Sequence, residues 1–251
     1  MSDNAAFWLQ KIRDLNVSQP VRIMNVCGGH ERSISMAGIR NALPENMELI
    51  PGPGCPVCVC PEEDIYQAIQ LALNEDITLL AFGDMLRVPV NVKKGDIRTL
   101  AEAKATGADV RAIASPLEVL KITQQNKSKN IVFFAAGFET TISPVAALIK
   151  QGLPKNASIL MSGRLTWPAI SMLLNSGEAG FNCLVAPGHV ATVMGANEWS
   201  FVIDQFSIPA AVAGFSAESL LAAFYSVTRQ LKENKLMLDN CYSELVSSEG
   251  N

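Results

Sequence analysis

Two rhythms run along the chain: short uninterrupted apolar runs, and longer stretches in which apolar residues return every three or four positions. The first helical stretch covers 4–15, with Phe7, Trp8, Ile12 and Leu15 on one face behind a polar start. An apolar run at 21–26 then reads as a buried strand, followed by a helix-compatible segment to about residue 43. The same alternation continues with strands at 48–51, 78–82, 110–114, 131–136, 158–162, 181–186 and 210–213. Helices are predicted at 62–73, 97–106, from Ser115-Pro116 onward, at 139–151, 168–174, 199–206 and 218–232. Strands alternating with helices imply α/β architecture, with mainly parallel sheets covered on both faces. A polar break at 127–130 splits the pattern. The prediction is two similar doubly wound lobes, 18–126 and 127–234, with a cleft between them, flanked by a helix at 1–17 and a tail at 235–251.

One stretch breaks both rhythms. Gly52-Pro-Gly-Cys-Pro-Val-Cys-Val-Cys-Pro61 places Cys55, Cys58 and Cys60 within six residues, among prolines and glycines. Proline fixes φ and removes a donor, and glycine opens conformations that other residues avoid. The expected result is a stiff loop, neither helix interior nor central strand. Cys55-x-x-Cys58 lets two thiols meet as a disulfide or share a metal. With Cys27, the three sulfurs would make up the four thiolates that an iron–sulfur cluster takes.

In an open parallel sheet, ligands bind beyond the carboxyl ends of the strands. The unusual polar residues fall there. Cys27 and His30 follow the first predicted strand, Cys55 and Cys58 the second, Asp84 and Arg87 the third. Glu139 and Thr140 follow the strand at 131–136, and His189 the one at 181–186. Cys27-x-x-His30 pairs a soft ligand with an imidazole and leaves other coordination positions open. Two other readings are an imidazolium that lowers the thiol's pKa and a histidine that caps a helix. Cys183 and Cys241 stand alone and read as small packing residues.

Composition narrows the function. The 251 residues are 49% hydrophobic and 18% charged, enough for a large core, and the net charge is -4. No basic cluster appears, which argues against nucleic acid or an anionic membrane as partner. No apolar run nears the roughly 18 residues that span a bilayer. The polar N-terminus lacks the basic-then-apolar order of a secretory signal. The expected location is the cytoplasm, where thiols stay reduced unless catalytic or metal-bound. Nucleotide fingerprints and the serine-hydrolase elbow are both missing from the sequence.

Five segments together resemble the HypD family of [NiFe]-hydrogenase maturation factors. They are Cys27-Gly-Gly-His-Glu31, Gly52-Pro-Gly-Cys-Pro-Val-Cys58, Phe82-Gly-Asp-Met-Leu-Arg-Val-Pro89, Gly137-Phe-Glu-Thr-Thr141 and Pro187-Gly-His-Val190, in the family's order. The resemblance implies a metallocentre-assembly scaffold. Iron carrying cyanide and carbon monoxide, the Fe(CN)2CO precursor, would be held by Cys27. Cys55 and Cys58 would be redox-active, and His30 and His189 functionally important. A small HypC-like chaperone would share the iron and a HypE-like protein would supply cyanide. Low-spin iron with strong-field diatomic ligands suits a soft thiolate, and a dithiol beside it can supply two electrons. The sequence also departs from the family. The family's C-terminal region, whose cysteines bind a [4Fe–4S] cluster, is not represented, so that cluster is expected to be absent. Residues 90–96 differ, Ser162-Gly-Arg-Leu-Thr-Trp167 stands where a His-Lys pair is usual, and Cys60 replaces a usual Thr. The alternatives are a thiol–disulfide oxidoreductase without metal and a non-catalytic partner-docking paralogue.

Overall fold

Strands form in this chain where apolar residues run without a polar face. The segments Ile77–Phe82 and Cys183–Pro187 are buried almost throughout. That is the signature of parallel strands covered by helices on both sides. The computed structural model describes residues 2–251, apart from the side chains of Pro56 and Cys58. Its strands are β1 (Val21–Cys27), β2 (Met47–Gly54), β3 (Ile77–Phe82), β4 (Val110–Ile113), β5 (Asn130–Gly137), β6 (Ala157–Gly163), β7 (Cys183–Pro187), β8 (Ala210–Ala213) and β9 (Leu238–Cys241). All the pairings among them are parallel. The α/β class with two doubly wound sheets is therefore as the sequence indicates.

The chain divides differently from the two successive lobes expected at 18–126 and 127–234. One compact unit joins Met1–Cys55 to Leu165–Asn251, and the other is Pro56–Arg164. The first holds a sheet in the order β2-β1-β7-β8-β9, the second a sheet in the order β4-β3-β5-β6. Within each sheet the order is the same: second strand, first, third, fourth. The similarity read from the sequence is thus between one unit and another inserted into it. The polar break at 127–130 is only the turn that precedes β5.

In the first unit, alternate residues of each strand pack against two sets of helices. Ile23, Val185 and Ala211 face Leu9, Ile12, Leu220 and Phe224, from the helices Asp3–Asp14 and Ala217–Glu233. Met24, Leu184 and Val212 face Ile170, Trp199 and Val202 on the other side. The second unit repeats the plan. Leu79 and Phe134 meet Ile65 and Ile69, while Leu80 and Phe133 meet Val119, Val145 and Leu148. Among the described residues, no helix is long and apolar enough to cross a membrane.

Two local departures have simple causes. Pro56–Val59 forms one helical turn where only a loop was expected. Proline is tolerated at the first position of a helix, because that N–H has no intrahelical partner anyway. Pro51 and Pro53 lie within β2, which is an edge strand of its sheet, and proline is tolerated there. β9 was missed altogether, since Leu238-Asp-Asn-Cys241 shows neither alternation nor an apolar run.

Asp109, beside β4, carries the clearest electrostatic contribution. Its carboxylate accepts from Arg111 Nε at 2.7 Å and Nη2 at 2.8 Å, and from Thr78 Oγ1 at 2.6 Å. The Arg111 hydrogen bonds, helped by Thr78 and Lys129, hold its pKa down to about 2. A depressed carboxylate contributes stability that is complete above the unfolded value near 3.9 and is lost as pH falls through about 2. Asp109→Asn is expected to cost about 1–2 kcal/mol at pH 7, allowing for solvent screening. Urea denaturation should show that difference shrinking below about pH 4 and gone at about pH 2.

Candidate functional site

The strand order of the first unit places a switch point between β1 and β7. The chain goes from β1 to β2 on one side, and from β7 to β8 to β9 on the other. Loops leaving the carboxyl ends of such neighbours diverge and open a crevice, the usual ligand position in open α/β sheets. Cys27 and His30 leave β1, His189 leaves β7, Cys55 follows β2 and Phe215 follows β8.

Close backbone approach brings Cys27 and Cys55 side by side. β1 and β2 are paired from Val21↔Met47 to Asn25↔Pro51, and then shift so that Cys27 pairs with Gly54. One extra residue in β2 makes a bulge, a device that re-aims a side chain near the end of a strand. Cys55 follows immediately. A methyl group added at Gly28, the residue after Cys27, would sit 3.6 Å from Cys55 Cβ, so the Cys27 turn and Cys55 are neighbours. The helix Gly28–Met36 starts directly after Cys27. The backbone N–H groups of Gly29 and His30 in its first turn act to lower the pKa of the Cys27 thiol. Burial nevertheless dominates and raises this thiol's pKa, with the nearby Cys55 adding to the rise and the two N–H groups opposing it.

The two histidines share one neighbour. The Phe215 ring lies 4.8 Å from the His30 ring and 3.9 Å from the His189 ring, centroid to centroid. It also presses on Gly29. A Cβ at that position would stand 2.8 Å from Phe215 Cε1 and 3.4 Å from Cys27 Sγ. His30 is fully buried and His189 is exposed. His30 Nδ1 lies 3.0 Å from Asn25 Oδ1, and Nε2 lies 3.0 Å from the Ala213 carbonyl oxygen. Burial pushes the His30 pKa down to about 4, against the hydrogen bond to Ala213, with His189 lowering it further. Burial also lowers that of His189.

The sequence reading thus placed Cys27, His30, Cys55 and His189 at strand ends, and the first unit brings these four to one end of one sheet. It missed Phe215 and Asn25. Phe215 carries no polar group to mark it. Asn25 sits inside an apolar run, and that oddity was a usable signal. Cys58 belongs to the second unit, and its side chain lies outside the described residues. Cys60 is buried in that unit with Sγ 3.3 Å from Ser162 Oγ, and the Ser162 hydroxyl donates to Asp64 Oδ2 at 2.5 Å. Its thiol pKa is raised by burial. Asp84, Arg87, Glu139 and Thr140 follow β3 and β5, at the second unit's own switch point. Asp84 caps its turn by accepting from the Met85 N–H, and Glu139 is buried. Cys183 and Cys241 have thiols pushed up to about 12 by burial, as packing residues would. Among the described residues, no group of three or more His, Cys, Asp or Glu is placed to hold a metal ion. What this end of the sheet offers a metal is the Cys27 thiol, with Cys55 following the neighbouring strand. Such a site fits an ion that brings other ligands of its own.

The HypD family model, described as the hydrogenase formation hypA family, matches residues 3–251. Hydrogenase maturation factor HypD2 of Bradyrhizobium diazoefficiens is 38% identical over 242 residues, covering 93% of this chain and 63% of that protein. HypD of Azotobacter vinelandii is 40% identical over 239 residues, covering 92% and 62%. HypD of Escherichia coli is 37% identical over 236 residues, covering 93% and 62%. The chain therefore spans less than two thirds of the length of these relatives.

Proposed function

The chain belongs to the HypD family, and we propose that it acts in hydrogenase maturation as a scaffold that holds iron while cyanide and carbon monoxide are attached. The observation that carries this reading is the position of Cys27: half-buried at the end of β1, at a switch point, where β1 pairs with the Gly54 that precedes Cys55. In this reading Cys27 is the protein's ligand to the iron, which is cargo. Iron binding would displace the proton that burial keeps on the thiol. Cys55 and Cys58 are the redox pair of this reading, two thiols close enough in sequence to close as a disulfide. Phe215, with His30 and His189 packed on it, lies beside the Gly29 backbone that follows Cys27. A HypC-like chaperone and a HypE-like cyanide donor are the proposed partners, and the cytoplasm the proposed location.

The test is anaerobic purification with a HypC-like partner, followed by iron analysis and infrared spectroscopy. Bound iron with bands in the cyanide and carbonyl stretching regions is expected. Protein free of iron that shows one reversible disulfide by thiol titration would overturn this reading in favour of thiol–disulfide exchange.

A further inference from the structure

We propose that Asn25, held in place by Glu31 and Arg40, is the positioning residue for His30, and that His189 is the imidazole left to meet a ligand at Cys27. The inference rests on the iron-scaffold reading for its purpose, but not for its test.

Hydrogen-bond accounting carries it. Arg40 Nη2 donates to Glu31 Oε2 at 2.6 Å, and Arg40 Nη1 donates to the Leu49 carbonyl of β2 at 2.6 Å. Glu31 is thus fixed as an acceptor. Asn25 Nδ2 donates to Glu31 Oε1 at 3.0 Å. An amide that gives its NH2 to a carboxylate must turn its oxygen the other way, and that oxygen faces His30 Nδ1. Asn25 is fully buried, so water offers no substitute partner. The opposite ring nitrogen, Nε2, faces the Ala213 carbonyl at the end of β8. A neutral ring has one N–H to give to these two acceptors, so both His30 nitrogens are turned toward acceptors inside the protein and neither faces a ligand.

The ring instead ties the end of β1 to the end of β8 and sets one face against Phe215. His189 lies across that same Phe215, is exposed, and makes no hydrogen bond among the described residues. The two histidines of the chain then do different work. His30 holds the Cys27 turn in shape, and His189 has ring nitrogens available.

With only two histidines, imidazole nitrogen NMR of the 15N-labelled, metal-free chain can separate these roles. His189→Gln assigns the spectrum. His30 is expected to show a ring N–H protected from exchange with water, and His189 none. In Asn25→Leu and in Glu31→Leu the Nδ1 resonance should shift, and exchange should quicken at least about tenfold. Glu31→Gln, which leaves one acceptor oxygen where the carboxylate offers one each to Asn25 and Arg40, should shift the resonance less than Glu31→Leu. A purely structural contact would not discriminate Leu from Gln in this way. Should Asn25→Leu fail to fold, the Glu31 pair decides alone. An unprotected His30 ring, or one unmoved by Glu31→Leu, would overturn the proposal. Because no metal is present, a failure here is distinct from a failure to bind iron.

Discussion

Cys27→Ala is expected to abolish iron loading, lowering affinity at least about 100-fold, beyond the roughly 10–100-fold that follows loss of a mere outer partner of a metal ligand. His30 cannot stand in, because both its nitrogens are turned toward acceptors inside the protein. Serine at the same position would keep the volume but replace a soft donor with a hard hydroxyl, so Cys27→Ser should fail equally. Two controls separate ligation from folding. Cys55→Ser should retain iron while losing the dithiol, seen as one disulfide fewer in a thiol titration. Cys183→Ser, at the buried start of β7, should lower stability by polar burial without touching iron content per folded chain. Anaerobic metal analysis of the four proteins reads all of this, and a Cys27→Ala chain that keeps its iron ends the assignment.

What the sequence disclosed depended on what it had to signal. Apolar runs such as Val21-Arg-Ile-Met-Asn-Val26 and Ile77-Thr-Leu-Leu-Ala-Phe82 announced strands buried on both faces, and the alternation with helices announced parallel sheets. Strand order was less legible. Reading sequence neighbours as spatial neighbours gave two consecutive lobes, whereas the chain leaves the first unit after Cys55 and returns at Leu165. Nothing in hydropathy marks an insertion, because the inserted unit has a core of its own with the same rhythm. The Pro-Gly stretch was the available signal, and it was read as a metal loop rather than also as a crossing point. At the site, residues with chemistry of their own were found: Cys27, Cys55, His30 and His189. Residues that act through others were not. Phe215 matters only because two imidazoles and Gly29 pack on it. Asn25 matters only because Glu31 and Arg40 fix its amide. Such roles are made by distances, and spacing along the chain does not encode them.

The same dependence on distance makes Gly54→Ala the most damaging of the small substitutions. A Cβ at Gly54 would fall 1.9 Å from the Val26 carbonyl oxygen, 2.8 Å from its carbon and 2.9 Å from Cys27 Cα. All three are backbone atoms of β1, so no flexible side chain can yield. Relief requires the two strands to separate at the bulge, which breaks the Cys27↔Gly54 pairing and carries Cys55 away from Cys27. Overpacking usually costs about 1–3 kcal/mol, and a clash with fixed backbone belongs at or above the top of that range. Urea denaturation of Gly54→Ala should therefore show a lower midpoint with an unchanged slope, corresponding to about 3 kcal/mol of lost stability. Iron loading at Cys27 should fall even in the fraction that remains folded. Gly83→Ala supplies the contrast. It too follows a strand, β3, but meets nothing within 4 Å, and should stay within about 0.5 kcal/mol of the unmodified protein. If Gly54→Ala proved as stable as Gly83→Ala and loaded iron normally, then β1 and β2 would not approach as described, and the pairing of Cys27 with the Cys55 turn would lose its structural basis.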